Sequence, residues 1–134
     1  MNRWTWMAIG LGVGVITGFA GADPKPLPVK EIMTKLNKGP SALTPSIKCE
    51  LQKQNGNWMA IQEQTKQYAV LAADLTRNDP PKGDKASWEK RAKQYAEDAS
   101  ALDDAARRQD KSAALAAHAR LTGACNACHE VHRK

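Results

Sequence analysis

The chain is poor in aromatic residues, in cysteines and in strand-like patterns. Its 134 residues include one Phe, two Tyr, four Trp and three Cys. No stretch alternates between apolar and polar residues as a half-buried strand does, so the sequence does not favour a βαβ redox fold. No block of five like charges occurs, and a formal charge of +6 is too small to indicate a nucleic-acid-binding protein.

The sequence also lacks an apolar run long enough for a membrane anchor. Its apolar run, residues 7–20, is 14 residues long, whereas a spanning helix needs about 20. Arg3 precedes the run and Ala20-Gly21-Ala22 ends it, which is the pattern of a secretory signal peptide with its cleavage site. We therefore predict that residues 1–22 are cleaved on export to the periplasm, and that residues 23–134 form one domain without a membrane segment.

What the chain does contain is helical spacing of apolar residues. This spacing predicts four main helices, at about 29–38, 57–77, 87–109 and 111–133. A shorter helical piece restarts at Thr44-Pro45, with Thr44 as N-cap and Pro45 in the first turn. Gly39-Pro40 separates this piece from the first helix, and the sequence leaves open whether it continues that helix after a kink or stands apart.

The second and third helices carry apolar seams of matching period. The seam residues are Trp58, Ile61, Thr65, Tyr68, Ala72 and Leu75 in one helix, and Trp88, Ala92, Tyr95, Ala99, Leu102 and Ala106 in the other. Matching seams predict antiparallel neighbours in an all-α, antiparallel four-helix bundle. The alternative is a pair of coiled-coil strands in a dimer. Asp110 is the predicted N-cap of the last helix, after a reversal of the chain near residues 107–112.

The residues that carry chemistry are clustered near the C-terminus, where residues 125–129 read C-N-A-C-H. C-x-x-C-H is the attachment signature of c-type haem. Residues three apart share a helix face, so Cys125 and Cys128 can form thioethers with the two vinyl groups of one porphyrin. His129 then supplies the axial nitrogen to the iron. The alternatives are a redox dithiol and half of a zinc site, which needs further ligands although Cys49 is the only other cysteine.

This arrangement resembles the class II cytochromes c, the cytochrome c′ group. The resemblance rests on C-x-x-C-H in the last of the predicted helices, behind an export signal, and on Arg133, four residues after His129. It implies an exported protein with one covalently bound haem c in a four-helix bundle, and it places Arg133 near the haem. The chain departs from the pattern at His132, where an aromatic residue is usual, and at Gly39-Pro40, inside what is usually one long first helix.

The resemblance also directs attention to the first helix, which in this family supplies either a methionine or an apolar residue over the distal face of the haem. Met33 lies on the apolar face of that helix, whereas Met59 lies one residue off the next seam. We predict Met33 as the distal axial ligand of an electron-transfer cytochrome. The alternative is a five-coordinate, high-spin protein that binds NO or CO. His118 and His132 share the helix of His129, and we expect both to be solvated or at the haem rim.

The predicted partners follow from charge and from the third cysteine. The mature polypeptide is mildly basic, which suits an acidic redox partner protein. Cys49 is either a buried free thiol or half of an intermolecular disulfide, and its spacing of two residues from both Ile47 and Leu51 favours partial exposure. The resemblance favours a homodimer. Peroxidase chemistry requires an acid–base group on the distal side of the haem, usually His with Arg. Because no such pair is visible over the predicted distal face, we expect the protein not to be an enzyme.

Overall fold

The computed structural model describes Gly21 and residues 24–134, and the regular structure of that part is entirely helical. The helices are α1 Val29–Asn37, α2 Leu43–Gln52, α3 Trp58–Thr76, α4 Lys85–Arg107 and α5 Lys111–His132. The all-α prediction is confirmed. The predicted export segment, residues 1–22, lies outside the described residues except for Gly21. None of the described helices is both long enough and apolar enough to cross a membrane.

The short piece after Gly39-Pro40 stands apart from the first helix as a helix of its own, so the described part of the chain has five helices. α1 ends before Gly39, whose φ of +85° breaks the helical path, and α2 packs against α1, α3 and α5. The prediction that Thr44 caps this piece is wrong. α2 begins at Leu43, because Ala42 already has the extended backbone of a cap residue. Pro45 remains acceptable there, since a backbone N–H in the first turn has no partner within the helix.

The three long helices have N-caps made by side chains, which are Asn57 for α3, Asp84 for α4 and Asp110 for α5. The Asp110 prediction is confirmed, because the backbone N–H of Ala113 donates to its Oδ1 at 3.0 Å. Asp84 was not recognised as a cap, and α4 therefore begins two residues earlier than predicted. The reversal between α4 and α5 passes through Gln109, whose φ is +54°.

Hydrogen bonds fix the direction of α4 against α3. Thr65 Oγ1 donates to Asp103 Oδ1 at 2.9 Å, near the start of α3 and the end of α4. At the other end, the indole N–H of Trp88 donates to the carbonyl of Asn78 at 2.8 Å, just beyond α3. The two helices therefore run antiparallel, as their matching seams predict.

The core is built from the predicted seams and from the inner faces of α1 and α2. Its largest fully buried side chains are Tyr68, Ile32, Leu36, Ile47, Leu51, Ile61, Leu102, Leu121 and Thr65. Two predicted seam residues, Trp58 and Tyr95, are only partly buried. Many of the remaining core positions are alanines, which let α4 and α5 approach closely but bury little apolar area each.

Candidate cofactor site

The three motif residues lie on the inner side of α5, close to its C-terminal end. Cys125, Cys128 and His129 are all half-buried, and both thiols are free. The Cys125 thiol donates to the carbonyl of Leu121 at 3.5 Å, as a thiol does on its own helix. The helix therefore presents both sulfur atoms and the imidazole toward one side, as the spacing of the motif predicts.

That side opens into a cavity of about 730 Å³, including its open mouth. The lining comes from four helices and consists of Met33, Asn37, Leu75, Trp88, Arg91, Ala92, Gln94, Tyr95, Ala124, Cys125, Ala127, Cys128 and His129. Most of this surface is apolar, and the two thiols and the imidazole open into it together. These residues fit a flat, largely apolar macrocycle attached through two sulfur atoms.

Met33 reaches the same cavity from a different wall. In the described part of the chain no Cα atom of α1 lies within 8 Å of a Cα atom of α5, yet Met33 of α1 and His129 of α5 both line the cavity. The other candidate methionine, Met59, is 79% exposed on the outer face of α3 and is not a lining residue. The structure thus brings the predicted distal residue and the haem motif together, while ligation by Met33 stays a prediction.

The acidities of the two thiols argue against a redox dithiol. Burial raises the pKa of Cys125. Burial also raises the pKa of Cys128, although the positive charge of Arg91 partly offsets the effect. Reactive dithiols depend instead on a lowered thiol pKa, which provides the thiolate nucleophile. The raised pKa values of Cys125 and Cys128 therefore do not favour the redox-dithiol alternative.

The zinc alternative also lacks ligands. Across the described residues, no group of three or more His, Cys, Asp or Glu side chains could hold a metal ion. Cys49 lies on α2, where it is exposed, and it does not line the cavity. Its exposure also makes the prediction of a buried free thiol wrong. The cause is its position two residues from Ile47 and from Leu51, which puts it off the buried stripe of α2.

Both additional histidines of α5 are buried, so the prediction that they are solvated or at the rim is wrong. His118 is 4% exposed and His132 is 2% exposed. His118 Nε2 donates to the carbonyl of Thr44 at 2.8 Å, which ties α5 to α2. His132 Nδ1 donates to the carbonyl of Lys82 at 2.8 Å. Each ring is buried because a backbone carbonyl accepts one of its N–H groups, which lowers the cost of removing it from water.

Arg133 and Arg91 differ in their position relative to the cavity. Arg133 follows the end of α5 and is exposed, and it is not among the residues that line the cavity. Arg91 lines the cavity and is half-buried, although it was not among the predicted site residues. The signal was present in the sequence, because Arg91 lies three residues after Trp88 and four before Tyr95, on the same face of α4.

A hydrogen-bonded pair of tyrosines lies at the cavity, with Tyr95 in its lining. Tyr95 is a lining residue, and its hydroxyl is hydrogen-bonded to the hydroxyl of Tyr68. Thr44 Oγ1 in turn donates to Tyr68 at 3.5 Å. Burial raises the pKa of both tyrosines, so both hydroxyls keep their protons. This network links α2, α3 and α4 behind the candidate site.

The comparison with protein families agrees with the motif and with the helices around it. A family model described as Cytochrome C′ matches residues 83–133, which include α4, α5 and the C-x-x-C-H motif. The predicted resemblance to the class II cytochromes c is thereby confirmed over that range, and the match supports a haem-binding cytochrome in general. Comparison with curated proteins and with solved structures gives no significant match.

Proposed function

We propose, from the match of residues 83–133 to the cytochrome c′ family, that the chain is an exported monohaem cytochrome that transfers electrons. One haem c is held through thioethers to Cys125 and Cys128, with His129 as axial ligand of the iron and Met33 as the sixth ligand. α1 and α2 together take the place of the first helix in an antiparallel four-helix bundle. The protein carries electrons and does not catalyse a reaction of its own.

The observation that carries this proposal is the shared cavity. Residues far apart in sequence line one apolar space, namely Met33 of α1 and Cys125, Cys128 and His129 of α5. Haem bound there would supply a one-electron carrier. The apolar walls would limit access of water, the imidazole of His129 would hold the iron, and the thioether of Met33 would favour the ferrous state and raise the reduction potential.

Optical spectra of the purified holoprotein in both redox states test the proposal. A Soret band that persists after denaturation and extraction is expected for covalent haem. Low-spin spectra and a weak near-infrared absorption of the oxidised protein are expected for His129–Met33 ligation. Protein purified without a Soret band after expression with haem-attachment machinery would exclude a cytochrome altogether.

The second candidate function is binding of NO or CO at a vacant sixth position. The observation that favours it is the nature of α1, which has only nine residues and no side-chain hydrogen bond at its N-cap. A helix held this weakly can withdraw Met33 from the iron. High-spin ferric spectra at neutral pH, with rapid CO binding to the ferrous protein, would select this function over electron transfer.

Export and partner choice belong to the same proposal. The N-terminal pattern of Arg3, an apolar run and Ala20-Gly21-Ala22 supports export to the periplasm, where thiols for haem attachment are handled. The excess of basic residues supports an acidic redox partner, whose association should weaken as ionic strength rises. Mass spectrometry of periplasmic protein should find a mature N-terminus at Asp23. Retention of residue 3 in all secreted protein would refute cleavage.

The outer face of α3 supports a homodimer. Met59 is 79% exposed and Val70 is 59% exposed, and they share this face with Glu63 and Lys66, all within about 60° of the helix circumference. When two copies of α3 cross antiparallel about a twofold axis between residues 64 and 65, Glu63 lies opposite the partner's Lys66. The same axis sets Met59 opposite the partner's Val70, so the face is self-complementary.

A charge swap tests this arrangement by sedimentation. Lys66→Glu should weaken the dimer, because it places like charges opposite each other. The double variant Glu63→Lys with Lys66→Glu should restore the dimer, because it reverses both partners. A wild-type protein that stays monomeric at high concentration would refute the interface.

A further inference from the structure

Arg91 is the only Lys or Arg among the residues that line the cavity, and no lining residue is acidic. Its guanidinium makes no ion pair with any of the described residues. A half-buried cation without a carboxylate partner carries a desolvation cost that a bound anion would offset. The cavity therefore has one place where a negatively charged group is favoured.

A chain of hydrogen bonds holds Arg91 in this position. The carbonyl of Lys82 can only accept, so His132 Nδ1 carries the proton in their 2.8 Å hydrogen bond. His132 Nε2 is hydrogen-bonded to the Ser87 hydroxyl at 3.2 Å. The Ser87 oxygen accepts from Arg91 Nε at 3.4 Å. These hydrogen bonds connect the carbonyl of Lys82 to the Arg91 guanidinium through His132 and Ser87.

The anchor of this chain is rigid. The His132 ring lies edge-on to Trp88, with ring centroids 5.4 Å apart. The backbone of Gly83 comes so close that a Cβ atom there would lie 2.9 Å from the carbonyl of Val131. His132 is thus enclosed by the α3–α4 connection on one side and by α4 on the other, and its two ring nitrogens are both hydrogen-bonded.

We propose that Arg91 binds a carboxylate of the haem, and that His132 positions the Arg91 guanidinium through Ser87. The proposal rests on the proposed function, because the carboxylate belongs to the haem held at Cys125 and Cys128. Arg91 Nε is engaged by Ser87, which leaves the two terminal nitrogens of the guanidinium for the carboxylate.

The predicted consequence is electrostatic. A positive charge beside the haem favours the ferrous form, which carries one positive charge fewer than the ferric form. Removal of that charge should lower the ratio of reduced to oxidised protein at a fixed solution potential by about three- to tenfold, the scale of one charge interaction at a partly buried site. Arg91→Gln tests this directly in the holoprotein.

Two matched variants define the charge effect. Arg91→Lys keeps the positive charge and should restore at least half of the effect. Lys93→Gln removes an exposed charge of the same helix outside the cavity and should leave the ratio unchanged. The inference is overturned if Arg91→Gln leaves the ratio at the wild-type value, or if Lys93→Gln lowers it as much as Arg91→Gln does.

A third variant tests the positioning role. Ser87→Ala removes the link between His132 and Arg91 while both side chains remain, and it should lower the ratio about twofold or more. In the Arg91→Gln background the same change should have no further effect, because the two residues act through one path. Equal effects of Ser87→Ala in both backgrounds would overturn the positioning role.

The haem content of each variant separates this inference from the proposed function. Haem that stays covalently attached in every variant, with no change in the ratio, would refute the role of Arg91 and leave the cytochrome intact. Wild-type protein that never acquires covalent haem would refute the proposed function itself.

Discussion

The two ends of the described chain differ in how firmly their sequences define structure. α4 and α5, with 23 and 22 residues, begin at aspartate caps and carry a complete haem-attachment motif. α1 and α2, with 9 and 10 residues, have no side-chain hydrogen bond at either N-cap and are separated by Gly39-Pro40. The family match covers the first pair and stops short of the second.

Under the proposed function, the two pairs of helices carry different parts of the haem chemistry. Attachment of haem would depend on residues of one helix, whose spacing fixes their relative geometry. Ligation of the iron by Met33 would depend on the position of α1, which is held by the buried side chains of Ile32 and Leu36, both 0% exposed. We therefore expect the C-terminal pair of helices to determine whether haem binds, and the N-terminal pair to determine the sixth ligand of its iron.

The largest expected effect is loss of covalent haem from the C-terminal region. The double variant Cys125→Ala with Cys128→Ala should abolish haem staining on a denaturing gel, because no sulfur remains to form a thioether. Cys49→Ala is the matched control and should retain all of the stain, since Cys49 is exposed on α2. Covalent haem in the double variant would show that another residue attaches it.

The second-largest expected effect is a change in the spin state of the haem iron when Met33 of α1 is replaced. Met33→Ala should convert a low-spin spectrum to a high-spin one while covalent haem is retained. Met59→Ala is the matched control, because Met59 is exposed and should leave the spectrum unchanged. A low-spin spectrum in Met33→Ala would show that a different residue is the sixth ligand, and would refute the proposed role of α1.

The same contrast explains which features could be predicted from sequence. The seams of α3 and α4 and the Asp110 cap follow from local patterns, and the structure agrees with them. The burial of His118 and His132 could not be predicted, because the carbonyls that accept their hydrogen bonds, those of Thr44 and Lys82, are 74 and 50 residues away. The spacing of Arg91 from Trp88 and Tyr95 shows which face of α4 it shares, but the cavity that it lines is created only by the packing of four helices.

A smaller effect concerns the tyrosine network that joins α2 to α3 and α4. Burial raises the pKa of Tyr68 and of Tyr95 above the ordinary value of about 10. The folded protein thus holds both protons more tightly than the unfolded chain does. The stabilisation from these hydroxyls is complete below pH 10 and is lost progressively as pH rises above it.

Denaturant unfolding at pH 8 and pH 11 measures this loss. The wild-type free energy of unfolding should fall between the two values, and the fall should be smaller in the double variant Tyr68→Phe with Tyr95→Phe, which has no phenol to ionise at these positions. At pH 8 that variant should itself be less stable by about 1 kcal/mol for the lost hydrogen bond. An equal fall in both proteins would assign the alkaline sensitivity to other groups.

The smallest effects compare the helix caps directly. Asp110→Ala should destabilise the protein by about 1 kcal/mol, because the N–H of Ala113 loses its acceptor. α1 offers the reverse experiment at Pro28, its N-cap residue, which lies three positions before Glu31. Pro28→Ser would complete a capping box with Glu31.

The net effect of Pro28→Ser on stability should be close to zero, because the gain of about 1 kcal/mol from the cap is offset by about 0.4–1 kcal/mol of extra chain entropy in the unfolded state. Comparison with Pro28→Ala isolates the cap, since both variants lose the proline ring. The serine variant should be the more stable by about 0.5–1 kcal/mol in denaturant unfolding.

The serine variant should also show a larger low-spin fraction than Pro28→Ala, because a more stable α1 keeps Met33 at the cavity. Equal low-spin fractions despite unequal stability would show that the order of α1 does not control the sixth position of the iron.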